Sequence, residues 1–198
     1  MSKAESSRCD SKDISIFEVN VMTRHAVRST QHENIFEIVS ASVEETHAFG
    51  ERLGRLLRAG DVVALRGELG SGKTTLIQGL ARGLGLDPNA VKSPTFVLMR
   101  EYPGAVPLIH IDGYRLEGPP SIAWLDLDLL FAPQKITVVE WAERFEGLLP
   151  EAAVELRLAH VSANRRRITL VGTTPRGRDM IAACQEQGSG ETHGAARD

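Results

Sequence analysis

Apolar and polar positions along this chain switch between two periods, and each switch marks an element. Residues 1–34 carry Ser, Thr, Asn, Glu and Arg with little sustained periodicity, which predicts a disordered extension, with Met22 inside it as a candidate start. At Ile35 the pattern sharpens. F-E-I-V predicts a short strand, and Ser42 with Glu45 forms a capping box that opens an amphipathic helix. Its predicted buried stripe is Val43, Thr46, Phe49 or Gly50, Leu53, Leu56 and Leu57, stopped by Gly60 and Asp61. V-V-A-L from Val62 does not alternate and reads as a strand buried on both faces. Leu76, Leu80 and Leu84 then recur every four residues beside Ile77 and Ala81, a broad apolar helical face ended by Gly83 and Gly85.

Thr95 to Glu101 and Val106 to Ile111 flank Pro103 and Gly104, which predicts a hairpin-like pair of strands. Ser121 to Leu130 has the composition of a short helix. Ile136 to Val139 is another unalternating strand, followed by a helical turn, A-E-R-F-E-G, that Pro150 closes. Val154 to Ala159 and Arg167 to Val171 read as two last strands joined by the polar turn S-A-N-R. Residues 174–198 are rich in Gly, Ser, Glu and Arg and read as a second disordered tail, with one helical turn at M-I-A-A-C. No repeat is evident, and strands alternating with helices predict a mixed, mostly parallel α/β sheet flanked by helices.

Composition narrows the class. A chain of 198 residues with 42% apolar content supports one core, so a single domain over 35–173 with two flexible tails is expected. A net charge of −3 argues against a dedicated nucleic-acid binder, and any contact with nucleic acid should be indirect. Cys9 and Cys184 lie far apart in polar ends, which fits a reducing cytosol. With no apolar leader and no membrane-length run, a soluble, cytoplasmic protein is expected.

Between V-V-A-L and the leucine-striped helix lies G-E-L-G-S-G-K-T-T, and Gly67, Gly72, Lys73 and Thr74 match G-x-x-x-x-G-K-[ST], the Walker A or P-loop pattern. At average residue usage a chance match has a probability on the order of 1%, and the strand-loop-helix setting lowers it further. Glycines let consecutive backbone N–H groups converge on phosphate oxygens, while the helix N-terminus adds partial positive charge. Lys73 supplies a cation for the outer phosphates, and the Thr74 hydroxyl suits Mg²⁺. The fold expected is P-loop NTPase-like.

Two acidic residues end apolar runs, where carboxylates reach the carboxyl edge of a parallel sheet. Glu140 in I-T-V-V-E suits a Walker B role or an ordinary helix cap; Asp112 in L-I-H-I-D suits a catalytic carboxylate or a turn residue. His110 shares a strand face with Asp112 and reads first as a structural histidine. Trp141 is either core packing or a stacking group beside the site, and Arg165 to Arg167 either a solvated hairpin or a basic docking patch. The D-x-x-G and [NT]-K-x-D strings of a Ras-like GTPase are absent, and no Arg-rich lid marks a small-molecule kinase. A metabolite kinase and a nucleotide-gated binding module without turnover stay open beside a regulatory ATPase.

Four strings occur together in order: G-E-L-G-S-G-K-T-T, S-P-T-F at Ser93 to Phe96, H-I-D-G-Y-R at His110 to Arg115 and V-E-W-A-E at Val139 to Glu143. In this the chain strongly resembles the TsaE family, the P-loop ATPase of bacterial synthesis of threonylcarbamoyladenosine, the modified adenosine 37 of tRNAs reading codons that begin with A. The resemblance spans about Ile35 to Pro150 and extends to the last two strands. It implies that Gly70, Ser71, Gly72, Lys73, Thr74 and Thr75 wrap the phosphates of ATP, that Thr74 and Glu140 hold Mg²⁺, and that Lys73, Asp112 and Glu140 serve turnover. It further implies that Thr95 lies in a switch-like loop facing the γ-phosphate, that Thr46 touches the nucleotide and that Trp141 belongs to the site. The implied partners are the TsaB and TsaD proteins, with tRNA met only through them. No arginine finger is evident near the motifs unless Arg115 reaches the site after folding, so slow turnover accelerated by a partner is expected.

Overall fold

The computed structural model describes residues 28–29, 34–116, 126–150 and 154–190, with backbone alone at 28–29 and 187–190. Its strands are β1 (Arg28–Ser29), β2 (Ile35–Ser40), β3 (Val62–Arg66), β4 (Met99–Tyr102), β5 (Leu108–Asp112), β6 (Ile136–Glu140), β7 (Val154–His160) and β8 (Arg166–Val171). They form one sheet in the order β1-β2-β8-β7-β3-β6-β5-β4. β7, β3, β6 and β5 run parallel in the middle. The flanking strands pair antiparallel, β4 on one side and β8, β2 and β1 on the other. The helices are α1 (Val43–Leu56), α2 (Lys73–Gly83), α3 (Leu127–Leu130) and α4 (Pro175–Gly190), with a 3₁₀ turn over Ala142–Phe145. The result is the helix-flanked α/β sheet expected from the alternation of periods.

All five residues of β5 and of β6 are buried, as are the first four of β3, which is why the β3 and β6 runs do not alternate. One core joins the sheet to α1, α2 and α4 through Ile38, Phe49, Leu53, Leu65, Leu76 and Met180. A second lies around Ile111, Val139 and Phe145. Ser42 caps α1, its Oγ accepting from Glu45 N–H at 3.1 Å, while the Glu45 carboxylate reaches back to Ala41 N–H at 2.6 Å. Thr46, Phe49, Gly50 and Leu53 are buried as the stripe requires, but Val43 is 56% exposed, because it starts the helix beside an open cavity.

Glycines bring α1 and α2 into backbone contact. A Cβ at Gly50 would stand 2.4 Å from the Leu76 carbonyl oxygen, and one at Gly79 2.4 Å from that of His47. No real Cβ fits there, so α2, whose first turn follows the Walker A loop, is seated at fixed depth on α1.

Three expectations are corrected. The strand predicted from Thr95 starts only at Met99, because Val97 and Leu98 N–H both donate to the Pro94 carbonyl and Leu98 takes φ +66, making a turn. The predicted disordered tail from 174 is helix α4 over most of its length. Met180, Ile181 and Cys184 are buried against the core, and Arg176 donates to Asp61 at 2.6 Å. Of the predicted extension, Arg28–Ser29 pairs with β2, while residues 1–27 lie outside the described ones. Of the helix predicted over Ser121 to Leu130, Leu127–Leu130 is helical and residues 121–125 lie outside the described residues. Among the described residues no helix is long and apolar enough to cross a membrane.

Candidate functional site

The Walker A loop leaves the carboxyl end of β3 in the middle of the sheet. Gly67, Gly70 and Gly72 take φ of +143, +75 and +100, values that L side chains rarely adopt. At Gly67 a Cβ would also meet the Leu158 carbonyl oxygen at 2.3 Å. Gly72 is the N-cap of α2 and offers no side-chain cap. The first-turn N–H groups of an α-helix have no intrahelical partner, so such an end suits an anion.

Lys73, 4% exposed, donates from Nζ to the carbonyls of Gly67 at 2.8 Å and Glu68 at 2.9 Å. The same ammonium lies 4.0 Å from the centre of the Trp141 ring. Burial lowers its pKa, opposed by the nearby carboxylates of Glu140, Glu143 and Asp112. Thr74 donates from its hydroxyl to Glu140 Oε1 at 2.9 Å, so residues 66 positions apart meet where β3 and β6 end side by side. Hydroxyl and carboxylate oxygens are the donor set that Mg²⁺ prefers.

Asp112 and Glu140 are register partners on β5 and β6. Asp112 Oδ2 accepts from the hydroxyls of Thr95, at 2.5 Å, and of Ser93, while its Oδ1 accepts from Tyr114 N–H at 2.9 Å. The turn that displaced the predicted strand therefore delivers Thr95 to Asp112. Trp141 takes a left-handed backbone, φ +57, and its ring is tilted against Tyr114 with centroids 5.1 Å apart. It is a group of the site's wall, half-buried, not of the core.

On the other side of the loop a cavity of about 370 Å³ is lined by Ser42, Thr46, Gly70, Gly72, Thr75 and Arg166 among others. Thr46 is there, but its hydroxyl already donates to the Ser42 carbonyl at 3.1 Å and shares a hydrogen bond with Ser40 Oγ at 2.7 Å. Ser71 lies inside the loop, fully buried, its Oγ without a partner. The fold thus gathers Lys73, Thr74, Glu140, Asp112, Thr95 and Trp141 on one side, with Thr46 and Thr75 on the cavity side.

Two residues were not read as site residues in the sequence. Arg166, taken there as hairpin or docking patch, reaches the loop, with Nη2 at 3.5 Å from the Gly70 carbonyl oxygen, and Nη1 donates to Ser162 and Ala163 carbonyls at 3.0 and 3.1 Å. Nothing local signals this, since it depends on β8 lying beside β7. Ser93 was detectable, standing two residues from Thr95. Arg115, by contrast, lies over the exposed ring of Phe96 at 4.2 Å.

A family model described as threonylcarbamoyl adenosine biosynthesis protein TsaE matches residues 40–168. Proteins named tRNA threonylcarbamoyladenosine biosynthesis protein TsaE are similar to the chain. That of Streptomyces coelicolor is 44% identical over 62% of this chain and 87% of its own. That of Treponema pallidum is 38% identical over 67% and 97%. The crystal structure of Bacillus subtilis YdiB superposes with a TM-score of 0.64 at 30% identity, covering 85% of this chain and 99% of that one. With the matched region holding the whole Walker A loop, both strand-end carboxylates and the Thr95 turn, the chain belongs to the TsaE family of threonylcarbamoyladenosine biosynthesis proteins.

Proposed function

We propose that the protein binds ATP with Mg²⁺ and hydrolyses it slowly, and that this cycle serves tRNA threonylcarbamoyladenosine formation by resetting a TsaB–TsaD assembly. The observation that carries the reading is the meeting of Thr74 and Glu140 at 2.9 Å within the nest that holds Lys73. Left-handed glycines, an uncapped helix end, a buried ammonium and paired oxygen donors make one anion-and-metal site. Thr74 and Glu140 would hold Mg²⁺, which supplies charge neutralisation at the outer phosphates.

The remaining work falls to the chain's own groups. Lys73 exchanges its two neutral carbonyl acceptors for anionic phosphate oxygens, so that both partners of the contact are charged. Asp112, held by two hydroxyls and a backbone N–H, is fixed in orientation and accepts a proton or hydrogen bond from the attacking water. Thr95 ties that carboxylate to the turn that Val97 and Leu98 N–H close on the Pro94 carbonyl. Thr46, Thr75 and Arg166 border the space left for the nucleoside side of the ligand.

The test is Lys73→Ala with labelled ATP. Wild type is expected to release free phosphate, and the variant to lose turnover by at least about 100-fold, the usual scale for removing a preorganised cation or donor. A phosphorylated small-molecule product would mean a kinase instead. Wild-type turnover in the variant would refute the site.

A further inference from the structure

We propose that His110 is a positioning residue for Glu140, pinning one carboxylate oxygen so that the other is presented to the metal. The inference rests on the Mg-nucleotide reading above. His110 lies on β5 with no exposed surface, and its Nε2 is 2.9 Å from Glu140 Oε1. Its Nδ1 is buried without a partner, so the ring proton belongs on Nε2, where it donates to the carboxylate.

Thr74 Oγ1 donates to that same Oε1 at 2.9 Å. Rotation about the last bond of a glutamate side chain is broad and nearly two-fold, so unaided the two oxygens interchange. Two donors on Oε1 remove that freedom. The imidazole sits between Leu108 and Asp112 on a strand whose other members are packed in the sheet interior, and the ring of Tyr102 lies 6.4 Å away, tilted by 33°. A packing role alone is better filled by Val or Leu, because an unpartnered buried nitrogen is destabilising. The retained donor explains that cost. Side chains that orient a metal ligand typically change metal affinity or activity by about 10–100-fold when replaced.

The experiment compares wild type, His110→Asn and His110→Gln by titrating a fluorescent ATP analogue in EDTA and at graded Mg²⁺. The Gln amide nitrogen reaches the place of Nε2, whereas that of Asn reaches only the place of Nδ1. Wild type should bind more tightly with Mg²⁺. If Mg²⁺ makes no difference to wild type, the nucleotide-metal reading itself fails and takes this inference with it. Given a Mg²⁺ response, His110→Asn should lose about 10-fold or more in apparent Mg²⁺ affinity and His110→Gln should stay within about 3-fold, with affinity in EDTA moving less than about 2-fold in both. Asn behaving as wild type, Gln failing as badly as Asn, or parallel losses in EDTA would overturn the proposal. A second measurement needs no variant. Imidazole ¹⁵N shifts of the ligand-free wild-type chain should place the His110 proton on Nε2, and a proton on Nδ1 would overturn it even where His110→Asn does not fold.

Discussion

The guanidinium of Arg166 is held in place before any ligand arrives, by carbonyls of its own hairpin at 3.0 and 3.1 Å, with its other nitrogen turned toward Gly70. A cation fixed at the rim of a phosphate loop needs little ordering to engage a phosphate or ribose oxygen, so most of its interaction energy appears as affinity. Arg166→Ala is therefore expected to weaken nucleotide binding by about 10-fold, the lower range for a charged hydrogen bond. The melting temperature should move little, because the half-buried arginine pairs with backbone carbonyls of its own turn and of the loop rim. Equal affinity in titrations of the two proteins would remove Arg166 from the site. Lys73 contrasts with it. Buried and crossed by an aromatic face, it is bound to the loop it serves, and its motif was visible because a phosphate nest needs contiguous backbone.

At the scale of elements, legibility follows sequence distance. β3 and β6 were readable because a strand covered on both faces must be apolar throughout, β5 because it follows the Pro103–Gly104 turn, and Asp112 and Glu140 because they end their runs. Helix α4 was not. Its sequence, with three glycines and charged residues in the first turns, carries weak amphipathicity, and only M-I-A-A-C hints at a buried face. What holds it is tertiary: the Arg176–Asp61 bridge and the close approach of Gly177 to Gly172, where an added Cβ would stand 2.6 Å from backbone. Cys184 reports on that docking. Burial pushes its thiol up to about 11 from 9.0, so at about pH 8 it carries about 100-fold less thiolate than an unshifted thiol. In a Cys9→Ser background, a disulfide reagent should react with Cys184 at least that much more slowly in native protein than in urea, and Arg176→Ala should speed the reaction. Equal native and urea rates would show that α4 does not dock.

For the whole molecule, the site lies where the carboxyl ends of β3, β5 and β6 converge, and among the described residues neither Arg166 nor Arg115 occupies the place of a cation aimed at a departing phosphate. Arg166 approaches from the cavity side and Arg115 rests on Phe96. An arginine finger contributes about 10³ to 10⁵ in rate where one acts, so with neither of these two arginines in that place turnover should be slow until something outside completes the site. Net charge of −3 makes tRNA itself a poor candidate for that role, since nucleic-acid affinity depends on basic surface. The TsaB–TsaD pair is the proposed source. Phosphate release measured at saturating ATP should rise by at least about 10-fold on adding the pair, and tRNA alone should leave it unchanged. Lys73→Ala should stay silent in every mixture, which separates stimulation of this chain from any phosphatase in the partners. A rate that ignores the pair while Lys73 still governs it would leave an ATPase whose cycle is not coupled to them. Stimulation by tRNA alone would place nucleic acid directly on this surface, against its charge.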